Sequence, residues 1–252
     1  MHFQLIRNAT VVIHIAGKKL LVDPMLSDKG AMPGFRNSPR EEEGNPLVEL
    51  PVPIEDVVQV DAVLVTHLHA DHWDEAAVSH LPKDVPLFCQ NEEDQLTIEK
   101  RGFRDVRVLT TDTEWAGIQL SITLAQHGRG DILKHLGHVS GVVLKHPSEP
   151  VTYLAGDTVW YHGVAETIRR HEPDVIVVNG GDNQFHTGGS LVMGKEDMLQ
   201  VHKASPESSM VAVHMEAVNH WTLSRRELRR FSEEQGMADR LWIPEDGESR
   251  SF

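Results

Sequence analysis

Residues 60–74 read VDAVLVTHLHADHWD. A strand-like apolar run ends in His67, His69, Asp71 and His72, four side chains with lone pairs inside six positions. Imidazole nitrogens and a carboxylate suit zinc, iron or manganese, and none of these needs a thiolate. So much polarity beside a buried strand is costly unless something pairs it, and a divalent ion does. A lone histidine at a strand end usually does no more than hydrogen-bond locally; four candidate ligands together point to metal chemistry. Three further segments repeat the arrangement. His127 in ITLAQHG, Asp157 in YLAGDT and His214 in VAVHMEAVNH each come just after an apolar run. Ligands of layered sheets gather where strand ends open into loops, so these strand ends can converge on one site. The last segment offers two histidines. His214 is preferred as the ligand because it leaves the run SMVAV directly, and His220, six residues later, is expected to face the substrate.

The motif THLHADH, followed by a distant histidine, a GDT and a later strand-terminal histidine, resembles the metallo-β-lactamase superfamily over essentially the whole chain. The pieces LLVDP, AGDT, GGSLVMGKEDM and VHMEAVNH are similar to the branch of metal-dependent hydrolases that includes ascorbate-6-phosphate lactonase. The resemblance implies an α+β fold, an αββα sandwich with a metal site on one edge. Carried over residue by residue, it implies His67, His69 and His127 on one metal, Asp71, His72 and His214 on a second, and Asp157 bridging them. It implies zinc, as one or two ions, with Mn2+ or Fe2+ as alternatives; zinc ligands lie at about 2.0–2.2 Å. Cys89 does not fall where true β-lactamases carry a cysteine ligand, so antibiotic hydrolysis is not expected.

The chemistry expected of such a site is hydrolysis, because a divalent ion lowers the pKa of its water from 15.7 to roughly 7. Asp71 and Asp157 are then catalytic as well as ligating, and His220 stabilises an oxyanion or protonates the leaving group. The sequence has no G-x-S-x-G elbow, consistent with direct attack by water. The expected substrate is a small ester, lactone or phosphoester, anionic because the metals carry the positive charge. Arg225, at the start of a capped helix, and Phe35, in a long loop, are expected to touch it. Rival readings are a phosphodiesterase or nuclease of the same fold, a di-iron oxidoreductase, and a metal-binding ligand sensor without turnover. Di-iron relatives typically carry glutamate where His69 stands.

The elements that must hold these residues follow from hydrophobic periodicity. Strands are expected at 3–6, 10–15 and 19–22, with a turn at Gly17–Lys18, and at 60–66, 86–89, 105–109, 118–124, 139–145, 151–155, 174–179 and 209–213. Helices are expected at 74–81, 92–101 (closed by Gly102), 161–171 and 195–203. A last helix is opened by the capping box Ser224–Glu227 and ended by Gly236. Residues 25–50 show no period, and the length and glycines of 27–50 suggest a rim or lid of the pocket. Asp23 in LLVDP is placed to orient the histidine motif or to close a turn. Thr66 and Thr158 are near enough in sequence to bond ligand carboxylates. Trp73 and Trp221 wall the pocket or pack in the core, and His135, His138 and His186 sit in glycine-rich loops.

No linker or repeat splits the 252 residues, so one domain over 1–252 is expected. Twenty-four basic against 38 acidic residues, a net charge of −14, oppose general attraction to nucleic acid or anionic membranes. The start has no signal-type apolar core, and Cys89 is the single cysteine, so a cytoplasmic protein without a disulfide is expected. Homo-oligomerisation is left open by the sequence.

Overall fold

The computed structural model describes residues 1–252. Six strands run up to residue 108: β1 (His2–Arg7), β2 (Thr10–Ile15), β3 (Lys18–Val22), β4 (Ala62–Leu64), β5 (Leu87–Cys89) and β6 (Val106–Val108). Eight follow: β7 (Thr113–Trp115), β8 (Ile118–Leu124), β9 (Ser140–Lys145), β10 (Thr152–Leu154), β11 (Val175–Asn179), β12 (Ser209–Val213), β13 (Leu241–Trp242) and β14 (Ser249–Ser251). The helices are α1 (Ile54–Val57), α2 (Glu75–His80), α3 (Glu92–Glu99), α4 (His162–His171), α5 (Lys195–Ala204) and α6 (Arg225–Glu234). They build two mixed seven-stranded sheets, in the orders β14-β1-β2-β3-β4-β5-β6 and β13-β12-β11-β10-β9-β8-β7.

Alternation along the strands sets the layers, because successive side chains point to opposite faces. On β2, Val11, Ile13 and Ile15 face the inter-sheet core, and Val12 faces the first-half helices. On β11, Val175 and Val177 face the same core, and Ile176 and Val178 face α4 and α5. Both faces of each sheet are therefore apolar, and helices must cover the outer ones. The result is the expected αββα sandwich.

Strand direction then selects the functional edge. β10, β11 and β12 are mutually parallel, and β8 shares their direction through two antiparallel steps by way of β9. Their C-terminal ends open on one side, and the residues just after β8, β10 and β12 are those singled out as ligands.

The expected elements are present to within a few residues. The first turn is Ala16–Gly17 rather than Gly17–Lys18: both take positive φ (50° and 72°), as a tight two-residue hairpin requires, while Lys18 pairs with Ile15. The strand expected over 60–66 is laddered only at Ala62–Leu64. Elements α1, β7, β13 and β14 were not expected; each has two to four residues, too few to show a period. No helix is long and apolar enough to cross a membrane.

The capping box at α6 is formed: the Ser224 hydroxyl accepts from Glu227 N–H, and Glu227 reaches back to Ser224 N–H at 3.1 Å. Ser224→Ala is expected to cost about 1 kcal/mol of stability in urea unfolding. An unchanged midpoint would show that the cap contributes nothing.

Candidate metal centre

Two groups of donor atoms meet at this edge. His67, His69, His127 and Asp157 form one, and Asp71, His72 and His214 the other; the donor atoms of each lie within 4.8 Å of one another. Asp157 faces both. Its Oδ2 lies 3.8 Å from His67 Nε2 and 3.5 Å from His127 Nε2. Its Oδ1 lies 3.3 Å from His72 Nε2 and 3.8 Å from His214 Nε2. His214 Nε2 is also 3.1 Å from Asp71 Oδ2. Of these seven side chains six are buried, and His69 is half-buried.

The donor set fits a cation by its own chemistry. His67 Nε2 and His69 Nδ1 face each other at 3.0 Å, and His72 Nε2 and His214 Nε2 at 3.2 Å. Facing imidazole lone pairs repel unless a proton or a metal lies between them. The opposite nitrogens of three rings are held from behind, which turns Nε2 inward. Asp23 Oδ2 lies 2.9 Å from His72 Nδ1, the Leu191 carbonyl 2.9 Å from His127 Nδ1, and Thr66 Oγ1 3.1 Å from His67 Nδ1. Asp23 is itself fixed by Thr66, which donates its N–H to Oδ1 and its hydroxyl to Oδ2. Thr158, in contrast, bonds backbone groups of Gln126 and Val159.

Burial dominates the electrostatics. It pushes His67 well below the usual imidazole range, aided by His72, and lowers His69, so both offer a neutral ring, the state a metal ligand needs. Burial alone would raise Asp71 and Asp157. The histidine charges overcome it, His72 foremost, and hold both carboxyls well below the ordinary range. His72 is driven up despite burial, because Asp157, Asp23 and Asp71 surround it. The largest charges acting on these residues are those of the clustered histidines and carboxylates themselves.

His220 lies beside the cluster and outside both donor groups. It is 6% exposed, and burial pushes it down to about 4, so it is neutral at physiological pH. Phe35 meets its ring edge-on at 4.7 Å, and Phe185 lies parallel at 6.0 Å. Its Nε2 is 3.3 Å from Asn183 Nδ2, and its Nδ1 has no protein partner. His214→Ala is expected to lower bound metal by about one ion per chain, and His220→Ala to leave it unchanged. Metal analysis of the two proteins decides, and the reverse pattern would exchange their roles.

Arg225 is not at the site. It is buried, and its guanidinium is committed to the Pro244 carbonyl, Glu216 and Asp246; a helix-terminal arginine reads as free only while its tail partners are out of view. It is therefore dropped as a substrate contact. Trp73 packs in the core against Phe103, and Trp221 lies beneath the Arg40 guanidinium at 4.3 Å. His135, His138 and His186 are exposed.

Several supporting residues have no signal in the sequence. Asn179 donates to Asp157 Oδ1 at 2.6 Å. Asn8 donates its amide to the Asp71 carbonyl, and its own carbonyl accepts the His214 N–H. It thereby ties residues from the two sheets together. His214 itself takes the left-handed φ of 60°, and Asp23 a φ of 45°. Such strain costs about 1–3 kcal/mol and persists where surrounding bonds enforce it.

Residues 18–215 match the family model of the β-lactamase superfamily domain. The UPF0173 protein YddR of Bacillus subtilis is 52% identical over 254 residues, covering 100% of both chains. A UPF0173 metal-dependent hydrolase of Thermoplasma acidophilum, Ta0764, is 23% identical, covering 86% of this chain and 83% of its own. The crystal structure of an isothiocyanate hydrolase from Delia radicum gut bacteria superposes with a TM-score of 0.96 at 43% identity, over 100% of this chain and 99% of that one. None of these three is named as a lactonase.

Proposed function

The chain belongs to the UPF0173 family of metal-dependent hydrolases, within the β-lactamase superfamily, and from that premise we propose that its edge site holds two divalent ions and hydrolyses small, neutral electrophiles carrying an apolar group, isothiocyanates first among them. The observation that carries the two-ion reading is Asp157, with one carboxylate oxygen toward each donor group. His67, His69, His127 and Asp157 would hold one ion, and Asp71, His72, His214 and Asp157 the other. Nitrogen and oxygen donors suit zinc, with Mn2+ or Fe2+ as alternatives; the thiol of Cys89 is buried elsewhere, among the first-half helices. Bound there, a divalent ion would supply a water of pKa about 7 and a Lewis acid for the electrophile.

This chain's own residues supply the rest. Asp71 and Asp157 stay ionised and set the charge that the ions balance. His220 is neutral, and with the Asn183 amide donating to Nε2 its proton sits on Nδ1, the free donor; that tautomer is assigned from the hydrogen bonding. His220 can therefore stabilise negative charge as it develops, or hand a proton to the leaving nitrogen. Phe35 and Phe185 flank His220 and favour an apolar substituent.

The anionic substrate expected from the sequence rests on the charge of the metals, and Arg225 adds no donor to it because its guanidinium is committed elsewhere. The isothiocyanate class comes from the 43% identical structure named for that activity. Water added to the central carbon of R–N=C=S gives a thiocarbamic acid, which splits into R–NH2 and carbonyl sulfide. Esters and lactones, attacked at the carbonyl carbon by the same means, are the second reading, since the resemblance of the ligand motif covers them equally. We place the activity in the cytoplasm.

Metal-loaded protein assayed against benzyl isothiocyanate, aryl esters, lactones and a bis-aryl phosphodiester is expected to release benzylamine fastest. Turnover of the phosphodiester alone would make the protein a phosphodiesterase. No turnover with full metal would make it a ligand-binding protein.

A further inference from the structure

The loop carrying Phe35 is long, irregular and rich in glycine, the composition of a mobile lid. Its bonding is that of a fixed wall. Asn219, next to His220 and 0% exposed, sits at the centre. Its side-chain oxygen accepts from Phe35 N–H at 2.8 Å and from the Asn45 amide at 2.9 Å. Its side-chain nitrogen donates to the carbonyls of Phe35 (3.1 Å) and Pro39 (3.0 Å) and to the Ser38 hydroxyl (2.9 Å). Its backbone N–H donates to Asn45 Oδ1 at 2.8 Å. One buried amide thus holds both ends of the segment that presents Phe35. The wall continues beyond it: Asn37 accepts from His186 N–H at 2.8 Å, and His220 accepts from Gln184 N–H at 2.9 Å. The Phe35 loop, the His220 turn and the Phe185 loop are bonded into one piece.

We propose that Asn219 is a positioning residue for substrate selection: it locks Phe35 edge-on to His220, so that the apolar wall receiving the substituent of the substrate is formed before the substrate arrives. This rests on the hydrolase reading of the adjoining site. Asn219 belongs to neither donor group and acts through the loop that presents Phe35. Preorganisation of this kind puts its effect in discrimination between substrates, where one group more or less in an apolar pocket is worth roughly 10–200-fold.

The test compares Phe35→Ala, Asn219→Ala and the double variant in the full-length, metal-loaded protein, using methyl and benzyl isothiocyanate. The ratio of kcat/KM for benzyl over methyl is expected to fall about tenfold or more in each single variant, and no further in the double variant. Metal content should stay at the parental level. Amide exchange of residues 35–38 should accelerate in Asn219→Ala and stay slow in Phe35→Ala. Asn219→Asp keeps the size and the accepting oxygen, but sets a second oxygen against the Phe35 and Pro39 carbonyls; it should follow Asn219→Ala. Equal losses on both substrates in the Asn219 variants, or parental exchange of residues 35–38 in them, would overturn the proposal. A metal-loaded parent inert toward both isothiocyanates would overturn the substrate reading instead, and exchange would then decide the clamp alone.

Discussion

Asp157→Ala is expected to lower turnover by more than about 100-fold, beyond the 10–100-fold usual for residues that merely hold a ligand in place. Asn179→Ala should stay inside that range. Asp157 is the one side chain whose two oxygens face the two donor groups separately. Its removal takes a donor from each group at once and leaves His72 with less of the carboxylate charge that surrounds it. Asn179 touches only Oδ1, and Asp157 without it keeps its other neighbours. The loss in Asp157→Ala should appear in kcat and in bound metal together, with the unfolding midpoint of the metal-free protein changed far less than the rate. Similar, modest losses for both variants would remove Asp157 from the bridging position.

A second large effect is expected far from the chemistry. Arg7, at the end of β1, is 0% exposed and donates to the carbonyls of Val48, Met25 and Ser27 at 2.7–3.0 Å. Burial pushes its guanidinium down to about 10, with Asp74 and Asp246 opposing the shift, so it stays charged at neutral pH. It gathers the irregular chain between β3 and α1 onto the first sheet. Arg7→Ala would leave three acceptors without their donor, at about 1–3 kcal/mol for each buried group. Relief from burying a charge offsets part of this, and a net loss of about 3 kcal/mol is expected. Urea unfolding of metal-loaded protein measures it. A loss below about 1 kcal/mol would mean that water replaces the guanidinium.

What the sequence reveals here is what is encoded locally. The apolar run before His67, the isolated His127 and Asp157 after their strands, and the Ser224–Glu227 box are each complete within a few residues, and each lies where expected. His214 joins the second donor group and His220 stands outside it; the sequence favours that arrangement because His214 leaves β12 at once and the turn that follows carries His220 away. Asn8, Asn179 and Asn219 carried no signal: their partners lie 63, 22 and 174–184 residues away, and an asparagine after a strand is ordinary turn chemistry. Arg225 misled for the same reason, since Asp246 and Pro244 come back to it from the C-terminal tail. Residues 27–50 read as a rim or lid without a period, and the bonds that fix the loop around Phe35 were out of view because they come from buried side chains elsewhere.

The central claim is that the edge site binds two divalent ions and needs them for hydrolysis. Metal content and benzyl isothiocyanate turnover, measured on the same sample before chelation, after it and after stepwise return of zinc or manganese, test this most directly. The account predicts two ions per chain, loss of turnover with their removal, and recovery as they return. Full turnover by protein stripped of metal, or saturation without any ion retained by His67, His72 and Asp157, would contradict it.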